Sequence, residues 1–197
     1  MTKELNQDLT QKHKKYSKIV CVFCGSNNNV DEKYLKLGYD LGVGLAKNHL
    51  SMLYGGSNSG IMNSLAQGTI DANGKSIGVF PDKIFGRFEL ANPNITEMIN
   101  VPDLFTRKMV MIEKSNAFVI LPGGYGTLDE MFEVMNLQSI DLIKKPIIVV
   151  NYQGFWNTLI RLLLHIERER FTHRRLTEVY IVSNIDECLS KLNISFQ

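Results

Sequence analysis

The sequence predicts an α/β fold, a doubly wound parallel sheet covered by helices, in one domain. Three observations predict it. Short apolar runs alternate with longer runs of helical periodicity, the pattern of strand–helix–strand units. Turns rich in glycine and small polar residues follow several strand runs and lead into helices. The length, 197 residues, suits one domain with a full hydrophobic core.

The elements follow in order. Residues 1–17 are polar and rich in Lys, Gln and Asn, an N-terminal extension to a domain spanning 18–197. The extension has no apolar signal region, and no apolar run is long enough for a membrane span. A cytoplasmic protein without a membrane partner is therefore expected. Ile19 to Phe23 is continuously apolar, as in a strand buried on both faces. After the polar turn from Cys24 to Asn29, Asp31 to Asn48 reads as a helix. Its apolar side is Tyr34, Leu37, Leu41 and Leu45, and Gly38, Gly42 and Gly44 let neighbours approach closely. Ser51 to Tyr54 is a strand, followed by Gly55-Gly56-Ser57-Asn58-Ser59-Gly60 and a helix from Ile61 to Ala72.

Ser76 to Phe80 is the third strand and Glu97 to Val101 the fourth. Between them Pro81 to Asn94 is irregular, of a length that over an α/β sheet carries function. Leu104 to Lys114 reads as a helix with Phe105, Met109 and Ile112 on its apolar stripe, and Arg107 and Lys108 off it. Ala117 to Leu121 is a buried strand and Leu128 to Leu142 a helix. Pro146 to Val150 is a strand, Gly154 to Arg170 a helix, Tyr180 to Val182 a strand and Ile185 to Leu192 a helix.

Composition narrows the partners. The net charge is +2 with the signs mixed along the chain, which makes no case for nucleic acid or a membrane surface. Cys21 and Cys24 form a lone C-x-x-C in a predicted strand, where residues three apart face opposite sides, so they read as small core residues. His13, His49, His165 and His173 are scattered. His165 and Glu169 are four apart on a helix and read as a solvated face. No metal and no cofactor are expected.

The chain is organised around Leu121-Pro122-Gly123-Gly124-Tyr125-Gly126-Thr127-Leu128-Asp129-Glu130. Glycine lets the backbone turn sharply and approach a ligand, and a helix starting here points unpaired N–H groups into the same space. Thr127 followed by Glu130 also fits a capping box, so the stretch alone admits a purely structural reading. It is not a dinucleotide fingerprint, because Asp129 stands where the third glycine would be. The turn after Tyr54 is not a P-loop, because no Lys follows Gly60.

In parallel sheets, ligands bind beyond the carboxyl ends of the strands. The turns at Gly25-Ser26, Gly55 to Gly60 and Gly123 to Thr127 all leave such ends. Their candidates for holding phosphate are Gly25, Ser26, Gly55, Gly56, Gly60 and Gly123. Arg107 sits near the start of its helix, within roughly 5 Å of the same edge along the axis. Three phosphate-friendly turns, an arginine and the Glu130 carboxylate are predicted to converge on one cleft.

Thr106-Arg107-Lys108-Met109, followed by the organising stretch, resembles the lonely-guy family of cytokinin riboside 5′-monophosphate phosphoribohydrolases. The family pattern is an Arg-Lys pair upstream of P-G-G-x-G-T-x-x-E. The resemblance runs from about Lys18 to Leu192 and includes Phe23-Cys24-Gly25-Ser26, Tyr54-Gly55-Gly56, Gly78-Val79 and Pro146. It implies a Rossmann-like fold, a homodimer and hydrolysis of an N-glycosidic bond. An N6-substituted AMP would yield a free base and ribose 5-phosphate. It implies Arg107 and Glu130 as the catalytic pair. Substrate binding would fall to Glu89, Lys108, Gly124, Tyr125, Gly126, Thr127, Leu128, Asp129 and, nearer the base, Asn136.

The chain departs from the family in places. Ser57, Ile61 and Asn63 replace Gly, Leu and Gly of the turn after Tyr54. Asn136 stands where plant members carry Thr, and Phe88 intervenes between Arg87 and Glu89. Breaking a nucleoside bond passes through a ribose with oxocarbenium character. Glu130 would stabilise that cation or activate water, and Arg107 would hold the phosphate or act on the leaving base. A non-catalytic nucleotide- or phosphate-binding protein of the same fold is the alternative. A decarboxylase label has also been used in this family, but no lysine here has a recognisable pyridoxal phosphate setting.

Overall fold

The computed structural model describes residues 18–81, 90–172 and 178–196. The predicted extension over 1–17, and Glu89 with the loop around it, lie outside the described residues. Seven strands form one sheet: β1 (Ile19–Phe23), β2 (Ser51–Tyr54), β3 (Ser76–Pro81), β4 (Glu97–Val101), β5 (Ala117–Ile120), β6 (Ile147–Val150) and β7 (Val179–Val182). Their order is β4-β3-β2-β1-β5-β6-β7, and every pairing is parallel. The helices are α1 (Glu32–Lys47), α2 (Gly60–Asp71), α3 (Leu104–Lys114), α4 (Tyr125–Ser139), α5 (Asn157–Arg168) and α6 (Ile185–Ser195). None of them is long and apolar enough to cross a membrane.

Alternate residues of each inner strand enter different cores. Val20 and Val22 join Met52, Tyr54, Val119 and Ile148 under Leu41 of α1, Leu65 of α2 and Leu192 of α6. Cys21 and Phe23 join Leu53, Phe118, Ile120 and Val149 under Met111 of α3 and Met131 and Val134 of α4. Both faces are covered, so the strands read as unbroken apolar runs rather than alternating ones. Cys21 and Cys24 fall into opposite cores as predicted, and neither is in a disulfide. The glycines of α1 do allow close packing: a Cβ on Gly42 would collide with the Leu65 carbonyl of α2.

Two expectations are corrected. Helix α3 does not bury Phe105 and Met109; Phe105 is 70% exposed, and the buried residues are Arg107, Met111 and Ile112. The helix is turned to put its arginine inward, which apolar periodicity cannot anticipate. Helix α4 begins three residues before the expected Leu128, at Tyr125. That shift decides the capping question below.

From β1 the chain winds through β2 and β3 to β4 on one side. From β5 it winds through β6 to β7 on the other. The reversal leaves a crevice between the carboxyl ends of β1 and β5, where a doubly wound sheet takes its ligands.

Candidate functional site

A cavity of about 560 Å³ opens at that crevice. It is walled by Cys24 to Asn27 after β1, Pro122 to Thr127 after β5, and the side chains of Arg107 and Glu130. Val30 and Tyr34 of α1 and its N-terminal approach, Ile61 and Met62 of α2, and Phe155 complete the wall.

The turn after β1 ties the two neighbouring turns together. Gly25 donates its N–H to the Pro122 carbonyl at 3.1 Å, and its own carbonyl accepts from the N–H groups of Ile61 at 3.0 Å and Met62 at 3.3 Å. The Asn28 side chain accepts from the Gly60 N–H at 2.8 Å. The first amides of α2 are thus consumed by the protein itself. Gly60 has φ +57, and a Cβ there would stand 2.6 Å from the Asn27 carbonyl oxygen. Its glycine serves chain packing. Gly55, Gly56 and Gly60 do not line the cavity, so two of the three predicted turns border it.

The start of α4 is built differently. Gly124 is the N-cap, in extended geometry, and no side chain caps the helix. Leu128 donates to the Gly124 carbonyl at 3.0 Å, whereas the amides of Tyr125, Gly126 and Thr127 meet no acceptor among the described residues. Thr127 is inside the helix, buried against Gly123, whose Cβ would strike it. The capping box therefore does not form. At Gly124 and Gly126 an added Cβ would meet nothing within 4 Å. Gly126 sits in the first turn of a helix, where alanine would be more stable by about 1 kcal/mol. Protein packing does not call for a glycine there. Three open amides at a helix N-terminus suit an anion.

Arg107 is 6% exposed and Glu130 8%. Arg107 Nη2 lies 3.8 Å from Glu130 Oε1, an ion pair too long to be a hydrogen bond. The Arg107 guanidinium occupies the place a Cβ of Gly55 would take, so that glycine makes room for the arginine rather than for phosphate. Arg107 Nε has no hydrogen-bond partner. A buried guanidinium with an unused donor is costly, and an incoming polar ligand would relieve that cost.

Other predicted site residues lie elsewhere. Lys108 Nζ is bound to Glu133 Oε2 at 2.8 Å and to Asp129 Oδ2 at 3.1 Å. The hydrogen bond to Glu133 is the chief cause that raises its pKa. Lys108, Leu128 and Asp129 do not line the cavity, and Asn136 is exposed further along α4. The residues that sequence reasoning missed are mostly apolar: Val30, Tyr34, Ile61, Met62 and Phe155. Tyr34 stood in a helix stripe that reads as core. Its edge-to-face contact with Phe155, centroids 5.6 Å apart, brings together residues 121 positions distant, for which no local signal exists. Among the described residues, no group of three or more His, Cys, Asp or Glu side chains is arranged to hold a metal.

Fold and site together define a Rossmann-type α/β protein with an anion-ready cleft at its switch point. A family model described as "Possible lysine decarboxylase" matches residues 62–192. A probable cytokinin riboside 5′-monophosphate phosphoribohydrolase of Arabidopsis thaliana is 35% identical over 157 residues, 80% of this chain and 78% of that protein. A cytokinin riboside 5′-monophosphate phosphoribohydrolase of Rhodococcoides fascians is 32% identical over 176 residues, 89% of each chain. The chain belongs to this family, the lonely-guy family. Among solved structures, the molybdenum cofactor carrier protein of Chlamydomonas reinhardtii superposes with a TM-score of 0.72 at 19% identity, over 91% of this chain and 98% of that one. The molybdenum cofactor binding protein of Rippkaea orientalis gives 0.71 at 23%, over 92% and 98%. These two likenesses establish the fold alone.

Proposed function

We propose that the protein hydrolyses the N-glycosidic bond of adenosine 5′-monophosphate, N6-substituted or plain, releasing the base and ribose 5-phosphate. The observation that carries this is the presence, in one cavity, of open helix amides and a buried Arg107–Glu130 pair. The names of the family relatives support it.

In this reading the 5′-phosphate docks on the amides of Tyr125, Gly126 and Thr127 and brings the sugar to Glu130. The bond from C1′ to the base nitrogen breaks and its electron pair leaves with the base. Positive charge develops on the ribose, and the buried Glu130 carboxylate stabilises it. Water adds to C1′ and gives a proton to Glu130, while the departing base takes a proton from solvent water, to which Glu130 returns its own. Arg107, with an unused Nε–H, supplies donors to the phosphate or to the leaving base. The reading includes a homodimer, supported by the family resemblance and by exposed Phe105 and Tyr125 on neighbouring helices. Light scattering at micromolar concentration checks it, and a monomer mass would count against it.

The main test incubates the protein with AMP, N6-isopentenyl-AMP, other nucleoside monophosphates and adenosine, and follows free base by chromatography. Base should appear from a monophosphate far faster than from adenosine. Equal rates would remove the phosphate from the mechanism. Saturable nucleotide binding without base release would leave a non-catalytic binding protein.

A further inference from the structure

We infer that Lys108 is a positioning residue: its ammonium clamps α3 to α4 and holds Arg107 and Glu130 at their working separation. The kinetic part rests on the hydrolase reading above; the geometric part does not.

The two functional side chains come from different helices, and the 3.8 Å between them is too long for a hydrogen bond. No hydrogen bond between them fixes their separation, so the placement of the two helices contributes to it. Lys108 links those helices where it matters. It is adjacent to Arg107 on α3, and about 100° around the helix, so it runs along the flank of α4 while Arg107 turns into the cavity. Its partners on α4, Asp129 and Glu133, stand one residue before Glu130 and three after it. Nζ reaches them at 3.1 Å and 2.8 Å, with the lysine side chain 20% exposed.

The rest of α3 is fixed by other means. Asp103 accepts from the Thr106 N–H at 2.7 Å, and Lys145 Nζ donates to the Ile112 carbonyl at 2.7 Å at the far end. Met111 and Ile112 also share a core with Met131 and Val134 of α4, and among the described residues the ion pairs that join the two helices beside Arg107 and Glu130 are those of Lys108. A compact ammonium with three donors suits two carboxylates, and the hydrogen bond to Glu133 shifts its pKa upward. Without it, Asp129 and Glu133 would be like charges one turn apart on the same helix.

The test compares Lys108→Met, Lys108→Arg, Glu133→Gln and the Lys108→Met/Glu133→Gln double variant. Two readouts are used: kcat and KM on a nucleoside monophosphate, and the side-chain Nε–H NMR signal of Arg107, assigned by its loss in Arg107→Lys. Lys108→Met should lower kcat about tenfold or more through misplacement of the pair, with KM nearly unchanged. Lys108→Arg should recover most of kcat. Glu133→Gln should fall partway, and the double variant no further than Lys108→Met alone. The Arg107 signal should move in Lys108→Met and return in Lys108→Arg. A rise in KM at constant kcat, with Glu133→Gln harmless, would make Lys108 a substrate contact and overturn the inference. If the wild type cleaves no monophosphate, the hydrolase reading fails and the NMR signal decides alone. An unmoved signal overturns the clamp, and one that moves and returns supports it.

Discussion

The turns after β2 and β5 are written alike, each a strand end and two adjacent glycines on the way into a helix, yet the helix amides beyond them are used differently. At Gly55 to Gly60 the helix amides are taken by Gly25 and Asn28, and the glycines admit Arg107 and the neighbouring backbone. At Gly123 to Thr127 the helix is uncapped, the amides are open, and two glycines face empty space. A glycine-rich turn thus signals close approach without saying of what. Only where the approaching partner is absent from the protein does it point to a ligand.

The largest effect that would sharpen this contrast is at Glu130, just beyond the open turn. Glu130→Gln keeps size and hydrogen bonding and removes the charge a cationic sugar needs. Turnover should fall by about a hundredfold or more while circular dichroism stays unchanged. Near-normal turnover would return the turn to a structural reading. Arg107→Ala should cripple activity too. Because the arginine is buried beside Glu130, it should also lower stability, although it lies off the apolar stripe predicted for its helix.

Next come the glycines themselves. Gly126→Ala places a methyl at the open amides. It should stabilise the fold by about 0.5–1 kcal/mol in denaturant titration. At the same time it should cut turnover on the monophosphate about tenfold or more by displacing the phosphate. Gly60→Ala should do the reverse in stability, costing at least about 1 kcal/mol, because its positive φ and the Asn27 carbonyl leave no place for a Cβ. If both variants behaved alike, the distinction between the turns would fail.

The smallest effect concerns the closed turn. Asn28→Ala uncovers the Gly60 N–H and should cost about 1 kcal/mol. It should not create a second phosphate site, since the Ile61 and Met62 amides remain bound to Gly25. Ribose 5-phosphate titrated by calorimetry should bind once per chain, before and after the substitution. A second site would show that the α2 amides are available after all.

Much of this was legible in the chain. Strands and helices appear close to their expected limits, because a sheet buried on both faces demands unbroken apolar runs and its covering helices demand a 3.6-residue period. The organising stretch announced the site, because strand, glycine turn and helix are local and their sequence carries them. The start of α4 was misread because Thr127–Glu130 satisfies the local rule for a cap, while Gly126 argues locally against an earlier helix start. Arg107 was expected at the cleft from its place near the helix start, but its burial escaped for a different reason: periodicity assumes that buried means apolar, and α3 buries a charge.

By itself, then, the sequence determined the α/β class, the strand and helix order, the Arg107–Glu130 candidates and the family. Each is encoded in local periodicity or in motifs a few residues long. Tertiary structure decided which glycine turn is open, that Lys108 faces Asp129 and Glu133 rather than the cavity, and that Tyr34 and Phe155 share its wall. These are facts about who meets whom across the sheet. They depend on strand order, here with β1 beside β5, and a strand's own residues do not state which neighbour it will take.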